Sequence, residues 1–362
     1  MINKLFTSIL CLSLFALSSC SSDDDSTPSQ PISIIIEGAE VSPEIGGPNE
    51  QNQVYIDLST DTATAIQRDS WDLGFYSGSD FRVAINGSIY MATAQLTATD
   101  IDAVNSSSTE VQDLQPQVAV GTFDEANLEF IDAPYGQITE TAIDAISDTD
   151  TNNHVYLVNL GFKVGTETPS NGSVAVSGDS RGWKKIRVTK SGNDYVLQYA
   201  DLDATTHNEV TISKNADYNF TFFSFNTESE VSVEPIKTEW DLNFTVFTNE
   251  ITGFGAYGYS DYIVNNIKSN ATAYMIDTEL NTFTYENFTL GDVIDTNFTN
   301  DQRSIGSSWR NGGGPGALPS LKENVFYIVN DTDGNLYKLK FLAMASESGE
   351  RGHPQFVYSL LQ

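Results

Sequence analysis

The sequence predicts an all-β protein of two tandem antiparallel β-sheet domains with few short helices, and three observations carry that expectation. First, Trp71-Asp72-Leu73-Gly74-Phe75 returns 169 positions later as Trp240-Asp241-Leu242-Asn243-Phe244, and Val155-Tyr156-Leu157-Val158-Asn159 returns 171 positions later as Phe326-Tyr327-Ile328-Val329-Asn330. Two unrelated landmarks displaced by nearly the same interval mark a duplicated module. Second, Trp240, Leu242, Phe244 and Val246 alternate with Asp241, Asn243 and Thr245, the period of a strand with one buried and one wet face. Third, no segment sustains an apolar stripe at helical spacing over several turns.

From the N-terminus, Lys4 precedes an apolar run from Leu5 to Leu17 that closes on Ser18-Ser19-Cys20. Residues 1–19 read as a secretory signal, too short for a spanning helix, and Cys20 as the lipidation site, carrying palmitate. The acidic Ser21 to Asp25 run and the Ser/Thr/Pro/Gln stretch to Pro31 bury nothing, so residues 20–31 read as a flexible tether. Membrane lipid is then a partner through Cys20, and the expected place is the outer membrane, exposed at the cell surface. Cys11 leaves with the signal, so neither a disulfide framework nor a thiolate metal site is expected. The first β domain is expected over 32–205 and the second over 206–362, divided in the unpatterned stretch from Leu202 to Glu209.

Within the first copy, Asn86-Gly87 predicts a hairpin between Asp80 to Ile85 and Ile89 to Ala94. Short helices are expected over Asp124 to Phe130 and Thr139 to Ile146. Val325 to Asn330 and Tyr337 to Phe341 read as a hairpin around an Asp331 to Asn335 turn; Lys185 to Val188 is the matching strand of the first copy, and Tyr195 to Tyr199, after the Lys190 to Asp194 turn, corresponds to Phe356 to Tyr358. Matching Tyr90-Met91 to Tyr274-Met275 implies an insertion of about fifteen residues in the second copy, around Ile251 to Val264. Its Tyr257 and Tyr259, on a glycine-flexed loop, are candidates for ligand contact.

A formal charge of −31 repels phosphate backbones, so nucleic acid is excluded as a partner. No nucleophile elbow, zinc-protease helix or phosphate-cradling loop is present, and no enzyme activity is expected. The 3 histidines, His154, His207 and His353, lie far apart in sequence, and no metal site is expected. Arg181, Lys184, Lys185, Arg187 and Lys190 read as the wet face of an edge strand, or as a stripe for docking an acidic partner.

The ordered set Val210 to Ser213, Phe222 to Phe225, Trp240-Asp241-Leu242, Gly306 to Trp309, Val325 to Val329, Asp333-Gly334-Asn335 and Lys338 to Phe341 resembles the HmuY-like surface lipoproteins. The first copy shares the Trp-Asp-Leu strand and the closing hairpin, and departs between Asn105 and Asn153. The resemblance implies haem captured for a TonB-dependent outer-membrane receptor, the iron held by two axial histidine or methionine side chains. The segment Trp309 to Gly316, where one axial ligand is expected, contains no His, Met, Cys or Tyr, which leaves Trp309 and Arg310 as ligand-contact candidates. His353, Met344 and Tyr285 are the remaining candidates for a cofactor, and haem is a possible one without its family ligand. A surface module that binds protein or glycan, its haem ligands lost, is the alternative.

Overall fold

A computed structural model describes residues 37–313 and 317–362. The expected signal, the lipidated Cys20 and the tether fall outside the described residues. Among those described, no helix is long and apolar enough to cross a membrane.

The first run of strands is β1 (Gly38–Val41), β2 (Asn52–Asp57), β3 (Thr62–Gln67), β4 (Leu73–Tyr76), β5 (Val83–Ile85), β6 (Ala92–Gln95), β7 (Val155–Asn159), β8 (Phe162–Val164), β9 (Ser177–Ser180), β10 (Trp183–Ser191) and β11 (Asp194–Asp201). The second is β12 (Asn208–Ile212), β13 (Phe220–Ser224), β14 (Ser229–Val231), β15 (Leu242–Ile251), β16 (Gly255–Asn265), β17 (Thr272–Asp277), β18 (Arg310–Asn311), β19 (Ser320–Leu321), β20 (Val325–Asn330), β21 (Leu336–Ala345) and β22 (Arg351–Leu360). The expected all-β class is what the chain adopts.

The sheets show how the two runs relate. One five-stranded sheet has the order β12-β11-β10-β7-β6 and the other β1-β22-β21-β20-β17, while the four-stranded sheets run β14-β13-β4-β5 and β16-β15-β2-β3. Each order becomes the other when the runs are exchanged. In every case the opening strands of one run complete a sheet made by the other: Phe223 pairs with Leu73, and Leu242 with Ile56. The expected division near residue 206 is therefore corrected. It falls between β11 and β12, which are hydrogen-bonded neighbours with Tyr195 opposite Ile212, and the described residues form one compact unit. A sheet edge left open by one repeat is covered by the opening strand of the other, which removes exposed pairing groups from both.

The cores follow the exchange. One gathers residues from Leu73 to Phe225, and the other joins Ile45, Val54, Ile56 and Leu58 to residues from Leu242 to Tyr358. A smaller cluster stands between them, in which Tyr55 and Phe222 pack with Trp71 and Trp240.

The Asn-Gly segment does not form the expected hairpin. Strands β5 and β6 belong to different sheets, and a tight helical turn at Gly87–Ile89, closed by Tyr90 at φ 64°, carries the chain across. The second run repeats this at Ile267–Ser269, closed by Asn270 at φ 71°. Asn86 and Asn266 open the two turns 180 positions apart, and Ala92 and Thr272 begin the following strands at the same interval. The Tyr90-Met91 and Tyr274-Met275 match is thus out of register by four positions, and the insertion is 11 residues, since 180 − 169 = 11. Buried Met91 and exposed Met275 are not counterparts. Close to this crossing, Gly161 (φ 65°) lies so near the Ile89 carbonyl that a Cβ would sit 2.0 Å from its oxygen, leaving room only for glycine.

Two local expectations also change. Glu125–Phe130 is a tight helical turn, while the segment from Thr139 to Ile146 forms no helix, and the one α-helix among the described residues is Thr109–Leu114. Of the five basic residues, four sit on the internal strand β10 and Arg181 just precedes it, each already engaged. Arg181 pairs with Asp72, Lys184 with Asp201, Arg187 with Asp150 and Lys190 with Asp148, while Lys185 is buried and donates to the carbonyls of Val104 and Ala204. The docking-stripe expectation has no free cation to rest on.

Candidate functional site

The sequence-nominated residues do not converge. Trp309 is fully buried, stacked on Phe341 at 4.4 Å, and its indole donates to the Asp261 carbonyl at 3.2 Å. Arg310 and Arg351 are buried against the Asp261 carboxylate. Beside them Glu50 accepts the Asp261 N–H, and its carboxyl is pushed up to about 8 by burial and then by the nearby Asp261 charge. Trp309 and Arg310 thus knit the fold together and touch no open space as ligand contacts would.

The cofactor candidates fare no better. Met344 lies in the core on one face of the β17-β20-β21-β22 sheet, with Tyr327 and Val329, whereas Tyr285 packs with Phe326 and Ile328 on the opposite face. Burial raises the Tyr285 phenol, which opposes the tyrosinate that iron would need. His353, expected in a loop, is an exposed residue of β22 bonded to Glu350 at 3.0 Å. His154 and His207 are half-buried, facing the Thr97 carbonyl and Asp102. Among the described residues no cluster of His, Cys, Asp or Glu is arranged to hold a metal. A sheet separates two of the named donors, so the residues present do not fit a haem held from both sides.

A different place is built by both repeats at once. Trp71 precedes β4 and Trp240 precedes β15, and the same clip holds each. Asn86 Nδ2 donates to the carbonyls of Arg68 and Trp71, both at 2.8 Å, and Asn266 Nδ2 to those of Lys237 and Trp240, both at 2.9 Å. Each indole then meets an aromatic ring of the strand borrowed from the other repeat, edge to face. Trp240 lies 4.9 Å from Tyr55 of β2, and Trp71 lies 4.8 Å from Phe222 of β13.

Between these pairs is a partly enclosed cleft of about 200 Å³, walled by these four rings with Phe220 and Phe247. Its polar groups are the notable part. Trp71, Trp240, Asn243 and Asn265 line the cleft, and the two indole N–H groups, Oδ1 of Asn243 and both amide atoms of Asn265 are buried with no hydrogen-bond partner in the protein. Buried polar atoms are ordinarily paired, so several orphans on the residues around one space point to a ligand. Lys268, Glu234 and Asp132 also line it. Burial raises Glu234 to about 7 and Asp132 to about 6, against backbone N–H groups that favour their charged forms. Lys268 is drawn down by the same desolvation, against the charges of Glu234 and Asp132, which favour its charged form.

The predicted tyrosines reach this cleft indirectly. A chain of rings runs from Phe123 to Tyr257 (5.9 Å), Tyr259 (5.8 Å), Tyr262 (5.9 Å) and finally Phe247 (4.5 Å), at the cleft wall. Its outer end is open, with Phe123 63% exposed at φ 56°, an unusual backbone for a bulky residue. Sequence reasoning found the two tryptophans as repeat landmarks without reading them as a site. Their signal was there: an indole repeated at a strand entrance carries a donor that needs a partner.

Comparison with solved structures gives weak overall similarity. Apo PinO from Porphyromonas gingivitis aligns at 18% identity and a TM-score of 0.22, covering 49% of this chain and 95% of its own. The apo HmuY analogue of Tannerella forsythia aligns at 9% and 0.25 over 91% of this chain and 98% of its own. A putative lipoprotein from Bacteroides fragilis aligns at 11% and 0.21 over 48% and 94%. No curated protein matches the chain. The model of the HmuY protein family matches residues 49–358 in one span across both repeats, and the chain belongs to the HmuY family.

Proposed function

We propose that this chain is a non-catalytic capture protein, anchored by lipid at Cys20 to the outer membrane and displayed at the cell surface. It takes a small ligand into the cleft between the two tryptophans. The observation that carries this reading is the set of unpartnered polar atoms on residues of both repeats around one aromatic-walled space. Catalysis finds no support in a site whose nearest titratable groups are a lysine and two acids. Passing the ligand to a TonB-dependent receptor belongs to the same proposal and rests on family membership.

Iron ligation is not part of it. At about 200 Å³ the cleft falls below the ~300–1,000 Å³ usual for drug-sized ligands, too small for a porphyrin. Titrating haemin into the full chain tests this. The Soret band should match that of free haemin, and His353→Ala and Tyr285→Phe should leave the titration unchanged. A shifted band lost in either variant would restore a haem site.

A further inference from the structure

Resting on the capture reading above, we propose that the cleft recognises a single neutral sugar ring, alone or at the end of a glycan. Four properties of the site select that chemistry.

The first is the mixture of polar groups. Two indole N–H groups can only donate, Asn243 Oδ1 can only accept, and the Asn265 amide does both. A ligand that satisfies them presents several atoms able to donate and accept from adjacent positions, as vicinal hydroxyls do. The second is burial. Asn265 is 1% exposed and Trp240 8%, so leaving their polar atoms unmatched is costly, and a purely apolar ligand would do so.

Third comes charge. Lys268 is the only cation on the cleft lining among the described residues, and the charges of Glu234 and Asp132 offset it. The chain's charge of −31 opposes anions further. Fourth, six aromatic rings give apolar walls for the C–H faces of a sugar, in a volume suited to one ring.

Calorimetric titration of the full-length chain in detergent with glucose, galactose, mannose and N-acetylglucosamine, beside adenine as a planar heteroaromatic probe, tests the assignment. At least one sugar should bind, and adenine should not. Trp240→Phe keeps a ring but removes the N–H, and Asn265→Ala removes the amide; each should weaken sugar binding about tenfold. Thermal unfolding of the same samples checks that they fold, and Trp71→Phe, at a half-exposed position, serves if Trp240→Phe does not. Adenine binding that Trp240→Phe abolishes, without sugar binding, overturns the sugar assignment while the capture site stands. Sugar binding indifferent to all three variants overturns the assignment by placing the sugar elsewhere. Absence of any binding overturns the assignment and the capture reading together.

Discussion

The two Trp-Asp-Leu elements share a backbone and differ in charge. At the first, Asp72 pairs with buried Arg181 at 2.6 Å while accepting the Phe225 N–H at 2.6 Å. At the second, Asp241 accepts the N–H groups of Leu58 at 2.9 Å and Thr332 at 2.8 Å. Neighbouring Asp331 and Asp57 then add to burial in raising its carboxyl to about 7. The asparagine clips and the edge-to-face tryptophans are common to both. Duplication preserved the geometry that builds the cleft, whereas the charge partner, outside the cleft, was free to diverge. The lesson is that the shared geometry marks the site.

The largest effect should come from separating the repeats. Residues 37–205 and 206–362 expressed apart each lose the strands that complete their sheets, so neither should show a cooperative thermal transition, though the intact chain does. Independent cooperative folding of both fragments would break the comparison, because the repeats would then be true modules.

Next in size is Asp72→Asn, which leaves the Arg181 guanidinium buried without its counter-charge and should cost about 3 kcal/mol in chemical denaturation. Asp241→Asn removes no ion pair and should cost far less at pH 7. Equal losses would mean the charge difference has no energetic content.

The smallest effect concerns pH. Asp241 has a folded pKa raised from 3.8 to about 7, so its contribution is fully present below the unfolded value and is lost as pH rises through 7. Glu234, raised to about 7, and Asp132, to about 6, act in the same direction. Stability should therefore decline as pH rises from about 4 to about 7 and level off above that, and Asp241→Asn should remove about 1 kcal/mol per pH unit of that decline. An unchanged slope in the variant would show that Asp241 is ionised throughout.

Much of the fold was legible because its signals are local. Alternation in Trp240 to Val246 marked β15, and the Asp331 to Asn335 turn marked the β20 and β21 hairpin, in which Asn330 pairs with Leu336. The exchange of strands was not legible, since the offset between Trp71 and Trp240 is the same whether β13 pairs within its own repeat or with β4. Asn86-Gly87 misled for a related reason: the dipeptide specifies a tight turn, but whether the next strand rejoins the same sheet depends on distant partners. At the site, the tryptophans could be read and their convergence could not, because Asn243 and Asn265 line the cleft only through the pairing of β15 with β16 and β2. Trp309 and Arg310 misled because a buried indole and a buried ion pair resemble a binding motif until their partners are seen.

The most direct measurement follows the four indole N–H resonances by ¹⁵N NMR, assigned by Trp→Phe substitution, while neutral sugars are added to the intact chain. Those of Trp71 and Trp240 should shift together, while Trp183 and Trp309 stay in place. Movement of Trp309 alone, or of one cleft tryptophan without the other, would contradict a capture site shared between the repeats.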